Sequence, residues 1–293
     1  MTQVEPLLEA KPGAAAPAVG GVWWRRGTIS PIGVAGAVII ALNVLAALVG
    51  SLLWRVDPNS QAATRLLSPS LGHPLGTDEL GRDTLARLLH GAQVSLQVGL
   101  VAVLIALVAG TVLGLAAAYY RGAVDAILMR IVDILFAVPW LVLAIMIAGL
   151  LGPSRTNAMI AVGIIYTPAF ARVVRGSSLS ILALPFVEAS RALGSSGGHI
   201  VLRHLLPNIV APLIVLSSVY FGGAVLAAAT LSFLGLGIQP PEADWGSMLN
   251  GARSYMVLAP WLAIFPGLAI VFVVFGFNLL GDGLRDWLDP KGR

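Results

Sequence analysis

Long stretches of this chain contain no Asp, Glu, Lys or Arg. Such runs cover 27–54, 88–120, 134–154, 204–241 and 254–281, and a shorter one covers 156–171. A helix needs about 20 apolar residues to cross a bilayer, within a working range of roughly 17–25. Five runs exceed that length, and the sixth reaches it if Arg172 at its end snorkels to the headgroups. The pattern predicts six helices: Pro31–Leu53, Val94–Tyr119, Asp133–Leu151, Ala158–Val174, Ile209–Leu234 and Leu258–Leu280. The fourth is the shortest and carries Pro168. The runs are continuous rather than alternating and exceed the length of barrel strands, so helices are expected. The fold class is all-α, a polytopic membrane protein with six transmembrane helices.

Between the first two spans lies the longest polar stretch, 54–92. Its second half, His73-Pro-Leu-Gly-Thr-Asp-Glu-Leu-Gly-Arg-Asp83, begins as a turn and is expected to continue as a short helix through Leu89. Thr77 suits the cap of that helix, with Asp78 and Glu79 in its first turn. Leu80, Leu85, Leu88 and Leu89 would form its apolar face, making 73–93 an ordered cover. The chain divides into a tail (1–30), the first span (31–53), this loop (54–92), a five-helix block (93–282) and a C-terminal tail (283–293). Trp23, Trp24, Arg25 and Arg26 read as an interfacial anchor ahead of an uncleaved first span.

Composition supports the membrane reading. The 293 residues are 57% hydrophobic and 11% charged, with a mean hydropathy of +0.88. Soluble domains carry about 25% charged residues, so an ordinary soluble enzyme is excluded, and the apolar content excludes a disordered chain. Arginine sets the orientation. With both termini in the cytoplasm, the cytoplasmic segments hold twelve Lys and Arg against six outside, as the positive-inside bias prefers. No basic run exceeds Arg25-Arg26, so nucleic acid is not an expected partner.

Much familiar chemistry is missing. There is no cysteine, hence no thiolate or cysteine metal site. Lys11 and Lys291 are the only lysines, and neither sits in a glycine-rich phosphate-binding loop. His199 and His204 would lie about 140° apart on an α-helix, poor co-ligands for a metal. Gly194-Ser-Ser-Gly-Gly198 matches a nucleophile-elbow string without the strand, acid and histidine that motif needs, and reads as a turn. No predicted span carries a central acid, lysine or histidine, which argues against a stand-alone ion-coupled carrier.

The informative segment is 184–207. Pro185 suits the first turn of a helix and Gly194 the position just past its end. Phe186, Ala189, Ser190 and Leu193 recur at helical spacing and give one narrow apolar face with small residues at its centre. Glu188 and Arg191 can pair on the other side. A narrow face of this kind fits another protein better than a lipid surface, which calls for a wider face and more basic residues.

At these residues the chain resembles a known family. Glu188-Ala-Ser-x3-Gly194-x9-His204-x-Leu-Pro207 is similar to the EAA loop of permease subunits in bacterial ATP-binding-cassette importers, with Ser190 for an alanine and His204 for an isoleucine. The 73–83 segment, Leu231-Ser-Phe-Leu-Gly-Leu-Gly-Ile-Gln-Pro-Pro241 and Phe277-Asn-Leu-Leu-Gly-Asp-Gly-Leu-Arg-Asp286 resemble the second permease subunit of oligopeptide, dipeptide and nickel importers. The resemblance implies a type I importer fold in the bacterial inner membrane. It implies a partner permease, one or two ATPase subunits that use ATP and Mg, and an extracytoplasmic binding protein. Phe186, Glu188, Ala189, Ser190, Arg191, Leu193 and Gly194 would then form the ATPase-docking site. Oligopeptide or dipeptide is the expected cargo, with nickel or another small chelate as the alternative.

Overall fold

The computed structural model describes residues 30–288. The expected tail and its Trp-Arg anchor, together with the last five residues, lie outside the described residues. Ten α-helices follow in order: α1 Pro31–Leu53, α2 Thr84–Tyr120, α3 Gly122–Ala137, α4 Trp140–Leu151, α5 Arg155–Leu182, α6 Pro185–Ala192, α7 Gly197–Ile200, α8 Leu206–Phe233, α9 Trp245–Ala252 and α10 Trp261–Leu288. A π-helical turn, Val201–Leu205, joins α7 to α8. Among the described residues there is no strand beyond one isolated bridge, Thr77 to Asp83. Five helical stretches are long and apolar enough to cross a membrane, and six if α3 and α4 count as one broken span.

That break corrects the third predicted span. α3 and α4 meet at an angle of 98°. Pro139 supplies no N–H, and Val138 before it is extended, at ψ 129°, as a residue preceding proline prefers. The fourth span, in contrast, is longer than expected, because its arginines are paired. Arg172 donates to Asp133 at 2.7 Å and lies 4.1 Å from the centre of the Phe136 ring. Arg175 grips both oxygens of Asp125 at 2.5 and 2.6 Å. Helix α5 therefore continues to Leu182, and Pro168 is accommodated inside it.

α2, α5 and α8 form the centre, around fully buried Val98, Ala102, Ala106, Val162, Phe170 and Val174. Small residues dominate because helices in lipid gain by close backbone approach rather than by escaping water. The same logic places Gly33 of α1 directly against Gly283 of α10. Leu42, Leu45, Leu48 and Leu52 on the other side of α1 are exposed, as a lipid-facing stripe should be.

The 73–83 segment differs from expectation. No helix starts at Thr77. Its hydroxyl donates to the Thr64 carbonyl at 2.6 Å and accepts from the Leu67 N–H at 2.8 Å, stapling a turn. Asp78 accepts from the backbone N–H of Leu80 and Arg82, and such side-chain capture competes with helix formation. Gly81 is left-handed at φ 78°. The helix begins at Thr84, where the Asp83 carboxylate accepts from the Ala86 N–H at 2.7 Å. It then runs unbroken through 37 residues, about 55 Å at 1.5 Å per residue. The hydrocarbon core is about 30 Å thick, so one end of α2 projects beyond it. The segment is ordered, held by polar bonds more than by the leucine face.

A candidate docking site at the far end of α2 and α5

Helix α5 spans the molecule, about 42 Å for 28 residues. At its first residue, Arg155 donates to Glu242 at 2.7 Å and also to Gln97. At its last turn the chain enters α6. Leu184 ends the preceding segment in extended geometry, and Pro185 opens α6, where its missing N–H costs nothing. Val187 anchors the helix at 0% exposure, packed with Leu182, Ile200, Leu205 and Ala118. Those partners belong to α5, α7, the π-turn and α2. The short helix therefore packs on the end of α5, in an apolar cluster that also takes in Ala118 near the end of α2.

Its far end is a built stop. The Ser195 N–H donates to the Ser190 carbonyl at 3.1 Å and the Gly194 N–H to the Arg191 carbonyl at 2.9 Å, the double bond of a Schellman motif. Gly194 sits at φ 83°, and a Cβ there would meet nothing within 4 Å. Glycine is required by the backbone angle alone.

The predicted site residues divide between two directions. Glu188, Ala189, Arg191, Leu193 and Gly194 are exposed, with Leu193 at 87%. Phe186 and Ser190 turn partly inward. The Phe186 ring stands 5.5 Å from that of His204, and Ser190 Oγ lies 3.2 Å from His204 Nε2 and donates to Ser195 Oγ at 2.8 Å. No ion pair joins Glu188 to Arg191 among the described residues. The expected apolar face is thus split: half of it holds the helix down and half faces away from the molecule.

His204 explains the split. On an α-helix it would point away from His199, but the π-turn stacks residues five apart, with the Leu206 N–H bonded to the Val201 carbonyl. The two rings come to 5.7 Å, edge to face, and His204 reaches α6. Sequence spacing alone gave no sign of the π-turn. Among the described residues no group of three His, Cys, Asp or Glu could hold a metal.

Sequence reasoning also missed α9 at the opposite end. Asp244 caps it, accepting from Gly246 and Ser247 N–H, while Ser247 completes a capping box. The Asp244-x-x-Ser247 spacing was the available signal. Trp245 is buried at its start and donates Nε1–H to the Leu88 carbonyl at 3.2 Å. Burial raises the Asp244 carboxyl above its ordinary range, opposed by its bonds to Ser247, Ser232 and Gly246.

Comparison with known proteins identifies the family and the fold. Residues 110–293 match the family of binding-protein-dependent transport system inner membrane components. The chain is 45% identical over 271 residues to the glutathione transport system permease protein GsiD of Pectobacterium atrosepticum, covering 92% of this chain and 90% of that one. It is 46% identical over 261 residues to the dipeptide transport system permease protein DppC of Alkalihalophilus pseudofirmus, covering 89% and 86%. It is 45% identical over 271 residues to the probable D,D-dipeptide transport system permease protein DdpC of Escherichia coli, covering 92% and 90%. Among solved structures, an inward-facing MetNI methionine ABC transporter matches with a TM-score of 0.55 at 19% identity, covering 67% of this chain and 93% of that one. An amino acid ABC transporter matches at 0.52 and 20% identity, covering 68% and 93%. At that identity the solved structures speak for the fold. Matched across most of its length by the family and by these permeases, the chain belongs to the inner membrane components of binding-protein-dependent transport systems.

Proposed function

We propose that this permease pairs with a second, homologous permease to form a path for small peptides, driven by separate ATPase subunits that grip α6. An extracytoplasmic binding protein delivers the cargo, and ATP and Mg are used by the ATPase subunits alone. Three relatives named for glutathione and dipeptide transport support the peptide class. The chain's own residues include no glycine-rich loop ending in lysine, consistent with nucleotide chemistry residing in its partners.

The observation that carries the reading is the seating of α6. Val187 fixes one side of it to the ends of α2 and α5, while Ala189, Leu193 and Glu188 are presented outward. Force applied to α6 is therefore delivered to the two helices that form the core. Closure of an ATPase pair supplies a two-state element, and these helices carry its bias towards the opposite end. In this reading both termini and 184–207 are cytoplasmic and 54–92 faces out.

Ala189→Trp places a bulky ring at the centre of the docking face without touching a span. In proteoliposomes of the assembled transporter, ATP-driven dipeptide uptake should fall at least about tenfold, with ATPase subunits lost on purification or hydrolysing without transport. Uptake at the wild-type rate with the ATPases retained would sink the docking assignment. Orientation is tested separately, since the chain contains no cysteine. With single cysteines at the exposed positions Ser68 and Ser196, an impermeant maleimide on spheroplasts should label only position 68. Labelling at 196 alone would invert the topology and remove the docking site from the ATPases.

A further inference from the structure

A cavity of about 240 Å³ opens at the end opposite to α6, between the 78–87 segment, the loop after α8, and α9. A water takes up about 30 Å³ of liquid, so the space exceeds what one ordered solvent molecule fills. Its walls hold polar groups with unused bonding capacity. Thr84 is 0% exposed, lines this cavity, and its hydroxyl has no partner. An unpaired buried hydroxyl is costly and rare in native proteins. Glu79 spends Oε1 on Arg82 at 3.2 Å, and its Oε2 takes no hydrogen bond among the described residues. The Glu79 carboxylate faces Gly251 of α9, where a Cβ would approach Oε1 to 3.4 Å.

Arg87 supplies the complementary charge. Its Nη1 donates to the Pro58 carbonyl at 3.2 Å and to Asn59 Oδ1 at 3.4 Å, and its ion pair to Asp78 through Nε is long, at 3.5 Å, which leaves Nη2 without a partner among the described residues. The guanidinium is buried, at 5% exposure. Asp78 and Arg82 line the same space and are paired to each other at 2.6 Å, so the capacity left over is Glu79 Oε2 on one side and Arg87 with the Thr84 hydroxyl on the other. An isolated cation or anion would satisfy only one wall, whereas a dipolar group satisfies both.

We propose that this cavity binds the charged end groups of a small zwitterionic peptide, its ammonium at Glu79 Oε2 and its carboxylate at Arg87 and the Thr84 hydroxyl. The assignment rests on the peptide-cargo reading above and adds a subsite to it, remote from α6. Binding here holds a released peptide by its ends at the mouth of this subunit.

The test uses the assembled transporter in membranes, without ATP or binding protein, carrying Asn250→Cys as an exposed reporter on the cavity rim. L-alanyl-L-alanine should slow maleimide labelling of Cys at 250 at least about threefold. N-acetyl-L-alanyl-L-alanine amide, the same length without end charges, should not. Thr84→Val in the same background keeps the side-chain shape and removes only an unpaired hydroxyl, so folding is retained while protection is lost. Equal labelling with and without the dipeptide, equal protection by the capped form, or full protection in Thr84→Val would each overturn the proposal. Dipeptide uptake by the complete system, measured in parallel, separates the two readings. Uptake without protection rejects the cavity alone, and absence of both rejects the peptide cargo with it.

Discussion

The two ends of the molecule are built on opposite principles. At the Asp83 end, polar groups are buried and, the Thr84 hydroxyl and Glu79 Oε2 apart, bonded to one another. Asp83 alone accepts from the Ala86 N–H and from Trp54 Nε1–H at 3.0 Å, and lies 2.8 Å from His73 Nδ1. Arg82 and Arg87 are buried beside Asp78. At the Gly194 end, a single buried valine holds an eight-residue helix whose outer side, Leu193 included, is bare. One end buries its polar groups, and the other presents its short helix outward. Leu193, bare beside that stop, is where the proposed ATPase contact would be made.

The same substitution at both ends should expose that difference most strongly. Gly81 and Gly194 are both left-handed, at φ 78° and 83°. A Cβ on Gly81 would press into the Ala63 carbonyl oxygen, whereas one on Gly194 meets nothing. Gly81→Val should cost more than about 4 kcal/mol, combining clash with backbone strain, and collapse the yield of monodisperse protein in size-exclusion chromatography. Gly194→Val should cost roughly 1–2 kcal/mol locally, leave the yield nearly intact, and still uncouple ATP hydrolysis from uptake. Equal yields for the two variants would erase the contrast.

A gentler comparison removes one hydrogen-bonding side chain from each end. Asp83→Ala strands the Trp54 and Ala86 donors and deletes the cap of α2, for about 3 kcal/mol. Ser190→Ala loses two half-buried contacts, for about 1 kcal/mol. Thermal unfolding in detergent should show the first midpoint shift to be the larger. The reverse ranking would mean that the α6 end is the better-built one.

The smallest effect concerns protons. Burial holds the Asp244 carboxyl above its ordinary value, so the folded chain binds that proton more tightly than the unfolded one. Asp244 therefore contributes a stability gain as pH falls from above the folded value towards the ordinary carboxylate range. Asp244→Asn cannot titrate, so the difference in melting temperature between wild type and variant should change across that window and be flat above it. A difference independent of pH throughout would place Asp244 in a more solvated site than its capping bonds indicate.

Much of this protein is determined by local sequence. Charge-free runs of twenty or more residues must hide their backbone polar groups from lipid, and only a helix does so within one segment, so the presence of the spans is legible. Their ends are not: α2 begins ten residues before the predicted Val94, α5 and α10 each run eight residues past their predicted ends, and the third span is broken at Pro139. The stop at Gly194 and the start at Pro185 are equally local, since each follows from one residue's dihedral preference. What required tertiary structure was everything depending on a distant partner. Arg172 and Arg175 of α5 pair with Asp133 and Asp125 of α3, which no count of charges along the chain can reveal. Thr77 staples a turn instead of capping a helix because the Thr64 carbonyl is within reach. Val187, flanked in sequence by the residues of the predicted face, is the anchor because Leu182, Ile200 and Leu205 from three other elements close over it. Helical periodicity is a property of a segment, whereas burial, charge compensation and the direction a short helix faces are set by which segments meet.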